Sequence, residues 1–177
     1  LTTRYEFIPV IINGERKGVY ALEEHFDKQL LESRNRREGP IVKFDENGIW
    51  KQHLAEIKGG KAFHIPTLLA AEINPFKKNR TKKNPNLRMQ FNVAQSHMHR
   101  LRNHDVDVDA YLDVDIAARY LALTDVLNAK HGLIWHNQRY YMNPVTSRLE
   151  PIAFDCFTSL DQMSKEVAMI GTKWMEI

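Results

Sequence analysis

Asp125 and Asp155 are the side chains of this 177-residue chain whose type and setting best suit phosphate chemistry. Asp125 comes at the C-terminal end of a stretch with helical apolar spacing, where a carboxylate opposes the helix dipole and needs another reason to be present. Asp155 follows the apolar run of residues 151–154, which predicts a strand with a charge at its carboxyl end. Two acids and an amide oxygen, such as that of Asn137, are what Mg²⁺ and a phosphate group require.

A helix and a β-hairpin are expected to position these groups. The helix is indicated by apolar residues that recur at helical spacing before Asp125, and the hairpin between the two aspartates carries His136 and Asn137. The apolar positions of the helix are Tyr111, Leu112, Val114, Ile116, Ala117, Tyr120, Leu121, Leu123 and Leu127.

The opening third of the chain predicts the order β-β-α-β. Two β-rich runs flank Asn13-Gly14, a pair that tolerates the positive φ of a tight hairpin turn. A short helix with Asp27 in its first turn follows, and Gly39-Pro40 then breaks the chain before the next strand. The predicted elements are strands over 5–12 and 18–22, a helix over about 26–34, a strand over 41–44 and a turn over 45–48.

The remainder predicts helices and then strands. Residues 77–86 are so polar and charged that we expect a mobile basic loop there. The other expected elements are helices over 65–71 and 89–102, the helix that ends near Asp125, and three strands in the last third. No internal repeat is visible at any useful period.

Bulk composition is that of one globular domain and excludes a disordered or fibrous chain, with 43% hydrophobic and 27% charged residues. The net charge of +3 comes mainly from basic clusters at residues 34–37 and 77–83, which favour an anionic ligand mildly; without interleaved aromatic residues they do not favour nucleic acid. Cys156 is the only cysteine, so an intrachain disulfide and a structural cysteine zinc site are excluded.

Targeting signals are not apparent in the sequence. No apolar run approaches the length of a membrane span, and the first residues lack the pattern of a signal peptide. The first residue is Leu1, from which we expect a fragment of a longer protein. The sequence therefore leaves the location of the protein open.

Taken in order, these motifs resemble the CotH family, the spore-coat protein H-like atypical kinases. The resemblance runs from about residue 4 to residue 160, and it depends on the order of motifs that are individually weak. The matching motifs are Val10-Ile11-Ile12-Asn13-Gly14, Gly18-Val19-Tyr20-Ala21-Leu22-Glu23-Glu24, Ile41-Val42-Lys43-Phe44-Asp45, Asp125, His136-Asn137 and Phe154-Asp155.

The resemblance implies an α+β, kinase-like domain over residues 1–177 that lacks its N-terminal part. It also implies roles for five residues. Lys43 would contact the phosphates of ATP, and Glu24 would pair with Lys43, although Glu23 is an alternative partner. Asp125 would orient or deprotonate the acceptor hydroxyl, and Asn137 and Asp155 would hold Mg²⁺ or Mn²⁺.

The implied activity is phosphoryl transfer from ATP to Ser or Thr hydroxyls of a protein. The sequence departs from the family where the last strand commonly ends in Trp-Asp-x-Asp, because residues 154–157 read Phe-Asp-Cys-Phe and supply one acid. A degenerate relative that binds nucleotide without transferring phosphate, and a structural or surface-interaction module, are therefore the alternatives. The chain has no Gly-rich phosphate loop, so phosphate contact would depend on lysine and metal.

Several of these residues also have a simpler, purely structural interpretation. Lys43 is flanked by apolar residues and would suit an exposed strand position, and Asn137 would suit a turn. Asp125 could simply end a helix. Asp155 has fewer alternatives, because an unpaired carboxylate on an apolar strand is costly to bury.

Overall fold

Tertiary structure in this computed structural model is described for residues 1–59 and 68–157. In chain order the elements are β1 (Tyr5–Ile12), β2 (Glu15–Glu23), α1 (Lys28–Glu32), β3 (Ile41–Phe44), α2 (Asn47–Ile57), β4 (Ile73–Pro75), α3 (Lys78–Lys83), α4 (Pro85–Arg102), α5 (Val114–Val126), β5 (Arg139–Asn143) and β6 (Arg148–Ile152). Short 3₁₀ turns cover Leu68–Ala70, Val108–Ala110, Lys130–Leu133 and Trp135–Asn137.

A four-stranded antiparallel sheet in the order β4-β3-β5-β6 carries the two apolar clusters of the fold. Because side chains alternate along a strand, Val42 and Phe44 lie on one face of β3 while Ile41 and Lys43 lie on the other. The register sets Lys43 opposite Asn74 on β4 and opposite Arg139 on β5. One face of the sheet therefore carries two cations side by side on its central strands.

The larger cluster lies between the sheet and helices α4 and α5. Val42 and Phe44 are fully buried there against Ala94 and Met98 of α4, and Ala117 of α5 joins them. Both helices have side-chain caps at their N-termini: Asn84 accepts from the amides of Asn86 and Leu87, and Asp113 accepts from that of Ile116. These caps fix where each helix begins relative to the sheet.

The smaller cluster covers the opposite face of the sheet, close to Lys43. Helix α1 supplies Leu30 and Leu31, both almost completely buried, and the preceding Phe26 joins them. Asp27 caps this five-residue helix by accepting from the amide of Gln29. The other buried members of the cluster are Ile41, Tyr141 and Ile152, with Leu1, Phe76 and Phe154 packed against it.

The β1–β2 hairpin is the most exposed part of the fold. Asn13 and Gly14 make its turn with φ of 53° and 82°, the left-handed conformation that these residue types tolerate. Every residue of β2 is exposed, and Phe7 of β1 retains 75% of its accessible surface. The hairpin therefore depends on its own ladder of hydrogen bonds more than on burial.

Periodicity in the sequence anticipated most of these elements. The hairpin, the short helix α1, the strand over 41–44 and the two long helices are confirmed, although α4 begins earlier than predicted, at Pro85. An α+β fold is likewise confirmed. Of the predicted helix over 65–71, residues 65–67 lie outside the described residues, and residues 68–70 form a 3₁₀ turn instead of an α-helix.

Two segments predicted as a loop and a turn are helical in the structure. Residues 77–86 contain α3 and the start of α4 instead of a loop, because Thr81 is buried and Arg80 and Lys77 form ion pairs with Glu38 and Asp27. The expected turn over 45–48 begins helix α2, where Asp45 accepts from the amide of Asn47.

The predicted strands of the last third also differ. Three strands were expected there, and the described residues contain two, β5 and β6. His136 and Asn137 were expected within the hairpin, but they lie before β5 in a 3₁₀ turn. Over the same described ranges, no helix has the length and apolarity needed to cross a membrane.

Candidate functional site

Lys43 lies on the central strand β3 with its ammonium held by a nearby carboxylate. Its Nζ donates to Glu46 Oε1 at 2.7 Å and lies 5.3 Å from the centroid of the Phe76 ring. The side chain keeps 21% of its accessible surface, so it is not an outward-facing strand lysine. Its position suits a cation that contacts an anionic ligand at the edge of the smaller cluster.

Glu46 is shared between two cations. Oε1 accepts from Lys43 and also from Arg139 Nη2 at 3.1 Å, while Oε2 accepts from Trp50 Nε1 at 3.3 Å. Burial alone would raise the pKa of Glu46, but its hydrogen bond to Lys43 and the charge of Arg139 outweigh burial and lower the pKa. Glu46 is therefore ionised near neutral pH, and the three side chains carry a net charge of +1.

Arg139 is a buried charge with only 4% of its surface accessible. Its Nη1 donates to the backbone carbonyls of His136 and Gln138, and its guanidinium lies 4.8 Å from the Phe154 ring centroid. The Phe26 and Phe76 rings lie 5.9 and 5.5 Å away. Burial lowers the pKa of Arg139, yet an arginine stays protonated at neutral pH.

Asn137 and Asp155 meet at His131. Asn137 Nδ2 donates to the His131 carbonyl at 3.0 Å and lies 3.2 Å from His131 Nδ1. The same Nδ1 is 3.2 Å from Asp155 Oδ2 and 3.0 Å from the Asp155 carbonyl oxygen. Asp155 keeps 48% of its side-chain surface and has a φ of 49°, a left-handed conformation that is uncommon outside glycine.

Gly132 allows the His131 turn to approach the segment that carries Asp155. A Cβ atom at Gly132 would lie 2.6 Å from Cys156 Sγ, 2.9 Å from the Phe154 carbonyl oxygen and 3.0 Å from the Tyr120 hydroxyl. Burial raises the pKa of the Cys156 thiol, which favours a packing role over a nucleophilic one.

Arg139 connects the Lys43 group to the Asp155 group. Its guanidinium packs on Phe154, the residue before Asp155, and the Asp155 charge raises the pKa of Arg139 and of His136. Burial nonetheless lowers the pKa of His136 overall, so this imidazole is neutral at pH 7. Lys43, Asn137 and Asp155 thus belong to one connected cluster, hereafter the Lys43–Asp155 cluster, which also contains Glu46, Arg139 and His131.

A family model described as CotH kinase protein matches residues 1–176. The chain belongs to the CotH kinase family. A search of curated proteins finds no match. The family inferred from the sequence motifs and the kinase-like α+β fold are confirmed by this match and by the structure.

The carboxylate partner of Lys43 differs from the partner that the CotH resemblance predicted. The expected pair was Lys43 with Glu24, or with Glu23, but Lys43 binds Glu46. Glu24 forms an ion pair with Arg4 at 2.6 Å, and Glu23 accepts from the Tyr5 hydroxyl. The reason is topological, because β2 belongs to the exposed hairpin whereas Glu46 follows Lys43 at the end of β3. A nucleotide-binding role for Glu24 stays a prediction.

Asp125 lies in the last turn of α5, half-buried, and its carbonyl accepts from the amide of Asn128. The contacts that define the Lys43–Asp155 cluster run through other side chains. Its assignment as the catalytic acid or base in this CotH member stays a prediction.

Sequence reasoning missed Glu46, Arg139 and His131. Glu46 stands three residues after Lys43 in a segment whose sequence predicts a turn, and Arg139 is the first residue of β5. Arg139 directly follows the polar residues 136–138, so nothing in the local sequence marks it as a buried charge. His131 carried no signal, because its contact with Asp155 depends on the fold of the intervening hairpin.

The side chains present suit a metal and a nucleotide in part. Within residues 1–59 and 68–157, no group of three or more His, Cys, Asp or Glu side chains could hold a metal ion. Asp155 nevertheless offers a carboxylate, and Asn137 uses its amide nitrogen toward His131, so its oxygen is the atom that would meet a hard cation. Lys43 offers the cation that a phosphate requires.

We expect Gly132→Ala to separate His131 from Asp155, because the added methyl group has no space against Cys156. The free energy of unfolding should fall by about 1–3 kcal/mol, as for other overpacked sites, when measured by urea denaturation. Adding Cys156→Ala should recover part of the loss, since Sγ is the nearest obstructing atom. No recovery would show that the close approach is not what Gly132 provides.

We expect the stabilisation by Glu46 to depend on pH. The folded pKa of Glu46 is lowered, so its contribution is full above the ordinary glutamate pKa of about 4.3 and is lost as pH falls through the folded value. Glu46→Gln should cost about 3 kcal/mol at pH 7, because it leaves a buried cation unpaired, and much less near pH 3.

Urea denaturation at both pH values measures this difference. Glu32→Gln is the matched control, because Glu32 pairs with Lys28 at 2.7 Å but is 53% exposed. Its effect should stay below about 0.5 kcal/mol at either pH. A Glu46→Gln cost that does not change with pH would contradict a charge-based role for Glu46.

Proposed function

We propose that this CotH family member transfers the γ-phosphoryl group of ATP to Ser or Thr hydroxyls of a protein. The observation that carries the proposal is the Lys43–Asp155 cluster, in which a partly accessible lysine, whose group with Glu46 and Arg139 carries a net charge of +1, is connected to a carboxylate and an amide. Phosphoryl transfer asks for this combination, because positioning and charge neutralisation supply most of the catalysis.

Each residue has a distinct part in the proposed reaction. Lys43 binds phosphate oxygens, and Asp155 with Asn137 would hold Mg²⁺ or Mn²⁺. When bound, the metal neutralises charge on the β- and γ-phosphates. Glu46 holds the Lys43 ammonium in place at 2.7 Å, as the ion pair of a kinase lysine does.

Transfer itself is a single displacement. The acceptor hydroxyl oxygen forms a bond to the γ-phosphorus while the bond from that phosphorus to the β–γ bridging oxygen breaks. The bridging electron pair leaves with ADP. Asp125 takes the hydroxyl proton and then releases it to solvent.

A nucleotide-binding relative without transferase activity is the second candidate. It is favoured by the single acid of residues 154–157 and by the finding that the described residues contain no three-ligand metal group. Such a protein would bind ATP through Lys43 and would not label any acceptor. A surface-interaction module is favoured by the hairpin alone, whose Phe7 and Val19 are 75% and 70% exposed.

Nucleotide binding is tested first through stability. Because a ligand that binds only the native state stabilises it, ATP at a hundred times its dissociation constant should add about 2.7 kcal/mol, measured as a higher melting temperature. The gain should require Mg²⁺ or Mn²⁺ and disappear in Asp155→Ala. Asp109→Ala, at an exposed position outside the cluster, should retain it. An unchanged melting temperature across ATP and metal titrations would favour the interaction module.

Catalysis is tested separately with Asp125→Asn. Since Asp125 acts on the acceptor hydroxyl, ATP affinity should stay within a factor of a few while transfer of labelled phosphate falls by roughly 10²–10⁴. Asp115→Asn, at an exposed position in the first turn of the same helix, is the control and should retain full transfer. Equal transfer by Asp125→Asn and wild type would remove Asp125 from the mechanism. Binding without any transfer by the wild type would identify the degenerate relative.

A further inference from the structure

We infer that Arg139 is a positioning residue that acts through Glu46 to keep Lys43 available for phosphate and to hold the turn that carries Asn137. The inference rests on the proposed function, because it concerns the same site. Arg139 is not itself assigned a contact with the nucleotide.

The burial of Arg139 is the first observation. Arg139 has 4% of its surface accessible, and three phenylalanine rings surround its guanidinium. The guanidinium is therefore almost completely desolvated. Within the described parts of the chain, its Nε is buried with no hydrogen-bond partner. An apolar side chain of similar size would avoid this cost of desolvation, so stability alone does not account for arginine here.

The two ends of the guanidinium reach different parts of the site. Nη2 donates to Glu46 Oε1, and Nη1 donates to the carbonyl of His136, the residue before Asn137. One planar group therefore connects the carboxylate beside Lys43 with the turn beside Asp155. Lysine could not replace it, because an ammonium lacks the rigid fork that makes two directed contacts.

Sharing Glu46 changes the charge that Lys43 presents. Glu46 Oε1 accepts from both cations, at 2.7 Å from Lys43 and 3.1 Å from Arg139. Because one carboxylate is divided between two cations, Lys43 is only partly neutralised and can still attract an anion. Without Arg139, Glu46 would form an ion pair with Lys43 alone. The Lys43 ammonium would then be bound more tightly by Glu46 and would attract phosphate less.

The test is a double-mutant cycle on the whole chain with Arg139→Lys and Glu46→Gln. Arg139→Lys keeps the charge but loses the fork, so the dissociation constant of Mg²⁺–ATP should rise about tenfold, as is usual for residues that orient a ligating group. In the Glu46→Gln background the same substitution should change it less than about twofold, because the route through Glu46 is already lost. Arg148→Lys, at an exposed position on β6, should have no effect.

A second measurement needs no nucleotide. The rate at which an acylating reagent modifies Lys43, followed by mass spectrometry, should fall about threefold or more in Arg139→Lys, since a more tightly paired ammonium releases its proton less readily. The labelling rate can be measured even if the wild type does not bind ATP. Failure to bind ATP would reject the proposed function. The coupling of Arg139 to Lys43 would then be judged from the labelling rates alone.

Two outcomes would overturn the inference. One is a lower melting temperature in Arg139→Lys with unchanged ATP affinity and unchanged Lys43 labelling, which identifies a purely structural arginine. The other is an equal loss of ATP affinity with and without Glu46, which shows that Arg139 does not act through Glu46. If Arg139→Lys fails to fold, Arg139→Met replaces it, because an apolar side chain of similar size avoids the cost of desolvation. Labelling of Lys43 should again fall, since Glu46 would then pair with Lys43 alone, and an unchanged rate would reject the coupling.

Discussion

The sharing of one carboxylate, Glu46, between Lys43 and Arg139 is the interaction on which the candidate site depends. Strand pairing brings the two cations within reach of one carboxylate, because the register sets them opposite one another on β3 and β5. Two neighbouring cations on a half-buried face would repel each other strongly, and Glu46 at the end of β3 offsets that repulsion. The residual charge of +1 is what makes this face of the sheet suitable for an anion.

The aromatic residues around the cluster strengthen this electrostatic arrangement. Phe26, Phe76 and Phe154 exclude water from Arg139, so its attraction to Glu46 acts in a medium with a lower dielectric constant than water. Phe154 also joins the smaller apolar cluster directly before Asp155, which couples the packing of the sheet to the position of that carboxylate. Gly132 completes the arrangement by letting the His131 turn approach the same segment. Packing and charge thus converge on one end of the sheet.

The sequence predicted the elements whose signals are local. Asn13-Gly14 specified the hairpin, and apolar periodicity specified α4 and α5, because both signals reside in the residues of the element itself. Helix α3 was not predictable, since Arg80 depends on Glu38 from a distant segment. The partner of Lys43 was misassigned for a related reason. Resemblance supplied Glu24, whereas the end of β3 supplied Glu46, and only the tertiary fold shows which carboxylate reaches the lysine.

A crystal structure of the whole chain with a non-hydrolysable ATP analogue and Mn²⁺ tests the central claim most directly. Anomalous scattering would locate the manganese independently of the protein density. The account predicts manganese beside the Asp155 carboxylate and the Asn137 amide oxygen, with a phosphate oxygen of the analogue in contact with Lys43 Nζ. Manganese bound away from Asp155, or phosphates that do not contact Lys43, would contradict it.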